Sequence, residues 1–134
     1  MLFRSHVLSR DLRNRGAELQ AVITNDAWWG RTAFQQYQAD ALRFRAIENR
    51  TSFVRVANTG ISGFVDSRGR YHQRTELFEQ AVEVREVRLA TGPGSPYAAV
   101  GDVVAWLALA GLVLTVVLAL GRGVRSSPLR SEVW

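Results

Sequence analysis

The spacing of apolar residues changes several times along this chain, and each change marks an element. Residues 5–15 read as a short helix, with Ser5 as its N-cap and Gly16 just past its end, where glycine is favoured. Residues 19–24 (LQAVIT) form a short β-branched run, the pattern of a buried strand. Asn25-Asp26 closes that strand in a polar turn, and Trp28-Trp29-Gly30 follows. Over residues 32–50, Phe34, Tyr37, Ala41 and Phe44 recur at spacings of three and four, with Ile47 beside them. Gln35, Gln36, Asp40, Arg43 and Glu48 mostly fall on other faces, so the stretch reads as an amphipathic helix with an aromatic apolar side. Strands are expected at 52–57 and 61–66, joined into a hairpin by a tight turn at Asn58-Thr59-Gly60 in which Gly60 supplies a positive φ. A second turn covers residues 67–70. Residues 81–89 (AVEVREVRL) alternate at period two, as a half-buried strand does. Residues 103–120 carry no charge and a single hydroxyl, Thr115. As a helix they would extend ~27 Å, close to the thickness of a bilayer's hydrocarbon core.

The order helix, strand, helix, strands defines an α/β layered architecture. So few strands leave at least one sheet edge and one face uncovered, which suggests part of a sandwich. No internal repeat is present. The expected organisation is a partial α/β domain over residues 1–90, a linker over 91–102, a transmembrane helix over 103–120 and a basic tail over 121–134.

Composition then narrows the chemistry. The 134 residues include no cysteine and no lysine, so all 17 basic residues other than histidine are arginine. Disulfides, thiolate metal sites, cysteine nucleophiles and Schiff-base lysines are thereby excluded. With two histidines, His6 and His72, neither at ligand spacing and both expected at the surface, no metal or cofactor site is indicated. The net charge of +5 comes largely from arginines that alternate with acids, a solvated surface rather than a nucleic-acid interface. Arg122, Arg125 and Arg130 follow the apolar run whereas Asp102 precedes it, which predicts a cytoplasmic C-terminus and residues 1–98 outside the membrane. Trp106 suits an interfacial anchor. The first 16 residues are too charged to form a signal peptide, so either the C-terminal helix inserts as a tail in the other orientation or the chain lacks its beginning.

Three segments carry a family likeness. Ile23-Thr24-Asn25-Asp26-Ala27-Trp28-Trp29-Gly30 resembles the N-D-A-W-F-G loop of bacterial apolipoprotein N-acyltransferases. Arg45-Ala46-Ile47-Glu48-Asn49-Arg50, followed by Arg55-Val56-Ala57-Asn58-Thr59-Gly60-Ile61-Ser62, is similar to their R-A-x-E and R-A-x-N-T-G-x-S stretches. The first of these stretches is shared with the wider nitrilase (carbon–nitrogen hydrolase) superfamily. Thr91, Pro96-Tyr97 and Gly101-Asp102 resemble the entry to the last membrane span. The resemblance implies a nitrilase-like αββα domain in an inner-membrane enzyme. Such an enzyme moves an acyl chain from a phospholipid donor to the N-terminal cysteine of a lipoprotein acceptor. It further implies a catalytic Glu, Lys and Cys, with a thioester on the Cys; these would lie upstream of Met1, so the chain matches the last quarter or so of such an enzyme. A missing N-terminal part is then an implied partner.

On the same resemblance, Trp28 and Trp29 border the acyl-binding site, although both could simply pack within the domain. Asn25 and Asp26 organise the loop through side-chain to backbone hydrogen bonds or form a plain turn. Asn58, Thr59 and Gly60 shape a turn beside the site. Asp26 is a poor replacement for a catalytic carboxylate because no nucleophile accompanies it. Glu48, near Arg45, Arg50 and Arg55 in sequence, is expected in an internal salt bridge, and Ser62 lacks the partners of a serine triad. Two other readings remain: a membrane-anchored, non-catalytic lipid- or protein-binding module, and a diverged nitrilase-type amidase fragment.

Overall fold

The structure is a computed structural model that describes residues 6–125, with side chains to residue 121. The Ser5 cap and the tail from residue 126 onward lie outside the described residues. Two compact units emerge, Met1–Gly101 and Asp102–Trp134.

The first unit is a mixed α/β layer. Helix α1 (His6–Asn14) leads to strand β1 (Leu19–Thr24), a 3-10 turn (Ala27–Trp29), helix α2 (Ala33–Asn49) and strand β2 (Ser52–Ala57). Two short strands, β3 (Gly63–Val65) and β4 (Tyr71–His72), complete a sheet in the order β1-β2-β3-β4. β1 and β2 run parallel and in register, from Leu19 opposite Ser52 to Thr24 opposite Ala57. β2 and β3 form the expected antiparallel hairpin, with Arg55 opposite Gly63, although β3 starts two residues later than predicted. Gly16 ends α1 with φ +95°, and Ala17 N–H reaches back to the Leu12 carbonyl at 3.0 Å, the glycine-capped helix end that the sequence indicated.

Leu42 and Ala46 of α2 pack on Phe53 and Val65, with Val22 and Tyr71 at the margin. The predicted apolar side of α2 is corrected here. Tyr37 and Phe44 are 62% and 61% exposed, and Ile47 is also exposed. The buried side is instead Gln35, Gln38, Ala39, Leu42, Ala46 and Asn49. Small residues let the helix approach the sheet, and the buried amides find local partners. Asn49 Nδ2 donates to Ser9 Oγ at 2.9 Å, and Ser9 Oγ donates to Gln20 Oε1 at 2.9 Å, tying α2, α1 and β1 together.

The strand expected at 81–89 is also corrected: the segment pairs with no strand among the described residues. Alternation stabilises a strand only when one of its faces is buried, and Val82 and Val84 are 93% and 85% exposed. Isolated hydrogen bonds hold it, from Gln73 Nε2 to the Val84 carbonyl at 3.3 Å and from Ser52 Oγ to the Arg88 carbonyl at 2.8 Å. Within the stretch read as a linker, helix α3 (Pro96–Val100) is capped by Ser95 and buries Ala98. Arg10 and Asn14 of α1 both donate to the Ala98 carbonyl, at 2.9 and 3.0 Å.

The second unit is helix α4 (Val103–Arg125). Its stretch Val103–Gly121 has a mean hydropathy of 2.7 and is long and apolar enough to cross a membrane. Its lone hydroxyl, on Thr115, donates to the Leu112 carbonyl at 2.7 Å, so the helix satisfies it without help.

Candidate functional site

Because β1 and β2 are parallel and end level with each other, the loops that leave them emerge side by side. The carboxyl ends of parallel strands are where α/β sheets hold ligands. One loop carries Asn25, Asp26, Trp28 and Trp29, the other Asn58, Thr59 and Gly60, so the structure brings together all seven residues singled out from sequence.

Their roles differ. Asp26 is buried and ion-paired: its Oδ2 lies 2.6 Å from Arg55 Nη2, and the Arg55 side chain has no exposed surface. Thr24 Oγ1 donates to Asp26 Oδ1 at 2.8 Å, and Arg55 Nε donates to the Ile61 carbonyl at 3.0 Å. The carboxylate is thus committed to joining the two loops and is turned away from solvent, which removes it as a proton carrier. Asn58 makes the second bridge. Its Oδ1 accepts from the N–H groups of Asp26 (3.1 Å) and Thr59 (2.9 Å), and its Nδ2 donates to Asn25 Oδ1 at 2.8 Å. Asn25 Oδ1 also accepts from Ala27 N–H at 3.1 Å, the side-chain turn anticipated for this residue.

Gly60 does not have the positive φ expected of it. It is required for space instead, since an added Cβ would collide with the Asp26 carboxylate, with Asp26 Cγ at 3.0 Å. Ser62 closes the same loop: its Oγ accepts from Ala57 N–H at 3.0 Å and donates to the Ala57 carbonyl at 3.3 Å. Trp28 stands at the rim, 83% exposed, whereas Trp29 leans on Phe34 with ring centroids 4.1 Å apart.

Three participants escaped the sequence reading. Gln35, fully buried, donates Nε2 to the carbonyls of Asp26 (3.1 Å) and Gly30 (2.6 Å) and closes the Trp-containing loop. Arg55 had been grouped with Glu48, but Glu48 pairs with Arg45 at 3.0 Å and Arg55 turns to Asp26. Its position between Phe53 and Ala57 on the inward face of β2 was the available signal. Thr24, opposite Ala57, occupies the next inward position on β1 beyond Val22, which faces Arg55.

His72 is not a plain surface residue. It is half-buried, with Nε2 3.1 Å from Asp66 Oδ2. Burial pushes the Asp66 carboxyl upward, but hydrogen bonds from Arg70, His72 and the Arg68 N–H outweigh it and hold the group well below the usual carboxylate range. This cluster braces the 67–70 turn, on a different loop from the seven residues. Burial also pushes the Tyr71 hydroxyl up to about 12, and that hydroxyl donates to the Ala39 carbonyl at 3.0 Å.

Chemically, the loop pair offers amide groups, an exposed indole and a rigid buried ion pair; the chain contributes no thiol or amine to it. Comparison with known proteins finds similarity to the apolipoprotein N-acyltransferase of Geobacter metallireducens, 45% identical over 115 residues, 86% of this chain and 22% of that protein. The Thermotoga maritima apolipoprotein N-acyltransferase is 33% identical over 125 residues, 89% of this chain and 24% of its own length. That of Chlorobaculum tepidum is 41% identical over 76 residues, 56% of this chain and 14% of its own. The chain therefore spans about a quarter or less of each of these relatives. No protein-family model matches it.

Proposed function

Because the chain belongs to the apolipoprotein N-acyltransferase family, we propose that it supplies the C-terminal, non-catalytic portion of such an enzyme. In this reading the complete enzyme transfers an acyl chain from a phospholipid to the N-terminal cysteine of a lipoprotein through a cysteine thioester. Residues 1–90 belong to a nitrilase-like domain and 91–102 link it to the span at 103–120. The basic tail at 121–134 lies in the cytoplasm of an inner-membrane protein, with residues 1–98 outside. Trp28, Trp29, Asn25, Asp26, Asn58, Thr59 and Gly60 border the acyl site and position substrate, while the nucleophile, the lysine and the catalytic glutamate come from polypeptide that this chain does not contain.

The observation that carries the reading is the convergence of two fastened loops at the carboxyl ends of parallel strands, with Trp28 exposed at their rim, in a chain with no Cys or Lys. The wall of a site is built; the reacting groups are not. The test incubates the full chain in phospholipid nanodiscs with a lipoprotein peptide bearing an N-terminal cysteine, and mass spectrometry follows N-acylation. No acyl transfer is expected from the chain alone. Transfer is expected once the rest of the Geobacter relative is supplied as a second polypeptide. Acylation by the isolated chain would overturn the assignment.

A further inference from the structure

A third loop reaches the two that form the candidate site. It follows β4, over residues 73–80, and three hydrogen bonds fasten it to the loop after β2. Thr75 N–H donates to the Ser62 carbonyl at 3.0 Å, Ser62 N–H donates to Thr75 Oγ1 at 2.9 Å, and Phe78 N–H donates to the Thr59 carbonyl at 3.0 Å. The loop after β1 meets Phe78 as well: the guanidinium carbon of Arg31 lies 4.8 Å from the centre of its ring. Phe78 therefore touches both loops, its backbone on Thr59 and its side chain on Arg31.

Phenylalanine is a costly choice for this place. The φ of Phe78 is +63°, in the left-handed region that a bulky side chain enters only with strain, and 44% of the residue is exposed. Glycine or asparagine would take up that backbone more easily, and a polar side chain would suit the exposure. The bond to Thr59 is made by the backbone and needs no ring, and Phe78 lies outside the core of Leu42, Ala46, Phe53 and Val65. What the side chain adds is an apolar surface, braced by the Arg31 cation, on the loops whose rim also carries the exposed Trp28. We infer that Phe78 is a further contact for the acyl chain of the donor lipid, and that Arg31 is a positioning residue that holds its ring in place. The identity of the ligand rests on the reading of this chain as one part of an acyltransferase. Burying one methylene is worth about fourfold in binding, so a ring that covers about two of them should be worth about tenfold.

The experiment combines the full chain with the rest of the Geobacter relative as a second polypeptide, in nanodiscs of ether-linked phospholipid, which cannot donate an acyl group. An ester-linked phospholipid is titrated in as donor, in long-chain and short-chain forms, and mass spectrometry follows transfer to a lipoprotein peptide. Phe78→Gly keeps the backbone conformation and removes the ring. It should raise KM for the long-chain donor about tenfold, raise it less for a chain too short to reach the ring, and leave kcat within about twofold. Phe78→Trp should restore the parent KM. Arg31→Gln should raise KM about threefold, and Arg31→Lys, which keeps a cation for the ring, should reverse that. In the same nanodiscs, a trace of phospholipid with a photoreactive diazirine on its acyl chain is activated by light. Adducts should form on Phe78 and Trp28 and not on Phe44, which is 61% exposed on α2.

An unchanged KM for the long-chain donor overturns the inference, and so does an equal rise for both donors, since a ring with a purely structural role would not distinguish chain lengths. Labelling of Phe44 as strong as that of Phe78 also overturns it. The two proposals fail separately. Acyl transfer without adducts on Phe78 leaves the enzyme reading standing and removes this contact; adducts on Phe78 without acyl transfer do the reverse.

Discussion

Replacing Arg55 by Met isolates the contact on which the two loops depend. Methionine approximates the length of the arginine stem but cannot pair with Asp26, whose side chain is 3% exposed and lies 2.6 Å from the guanidinium. The carboxylate would keep the Thr24 hydroxyl at 2.8 Å and lose its counter-charge, and the Ile61 carbonyl would lose its donor. Breaking a buried ion pair from one side costs about 3–5 kcal/mol, chiefly because the remaining charge stays buried. A domain of this size is stable by roughly 5–15 kcal/mol, so the variant should stay folded under mild conditions while its loops open far more often.

The assay is native-state hydrogen exchange on the full chain in detergent, read at the amides of β1 and β2 and of the Asn25–Trp29 and Asn58–Ser62 loops. The double variant Asp26→Leu with Arg55→Met removes both charges and should regain at least half of the loss, because no ion is then left in the interior. A loss below about 1 kcal/mol for Arg55→Met would refute the reasoning. So would a double variant less stable than the single one, since either result means that the pair does not bind the loops together.

Gly60→Ala should cost about 1–3 kcal/mol and loosen the same loops, since its Cβ would press on the Asp26 carboxylate; thermal melting of the variant checks this. Two groups set limits in pH. The Asp66 carboxyl is held below its ordinary value of 3.8, so its contribution is present above that value and lost as pH falls below it, and Asp66→Asn should flatten the acid limb of a stability-against-pH curve. Tyr71 is pushed up from 10.0 to about 12, so its contribution is complete below pH 10 and lost between 10 and 12. Ultraviolet titration should show one tyrosine ionising late, and Tyr71→Phe should abolish that step. Leu112→Arg at the middle of α4 should raise the cost of membrane insertion by about 3 kcal/mol, measurable in a translocon glycosylation assay.

Strand β1, the hairpin and the apolar helix were legible because each follows from local pattern: a β-branched run, a polar turn, an uncharged stretch; the parallel pairing of β1 with β2 is non-local and was not. The packed side of α2 was not. Aromatic spacing marked Tyr37, Phe44 and Ile47 as inward, whereas the helix buries Ala39 and Ala46 with Gln35 and Asn49. A hydropathy reading ranks a glutamine last among core residues, yet Gln35 is buried because it satisfies two loop carbonyls. The same rule explains Arg55, whose charge argued for the surface until the structure supplied Asp26. Buried polar residues of this kind become legible only when their partners are known, and those partners lie 9 and 29 residues away in the chain.

That polar interior bears on what the chain can contribute. Asp26, Arg55, Gln35, Thr24 and Asn58 form one connected set centred on Asp26, in which Asn58 joins the loop after β1 to the loop after β2, Arg55 joins it to strand β2 and Gln35 joins it to α2. An apolar core would hold the sheet together equally well but would leave the loop ends free to choose their conformation. Directional bonds fix where Trp28 and the two asparagines stand. Fixing a site wall to that degree is useful where groups from elsewhere must meet a substrate held against it. On the proposed acyltransferase reading the reaction needs a thiol and an amine, neither of which this lysine- and cysteine-free sequence supplies. What the chain would then contribute is position, and on that reading its buried charges serve that end.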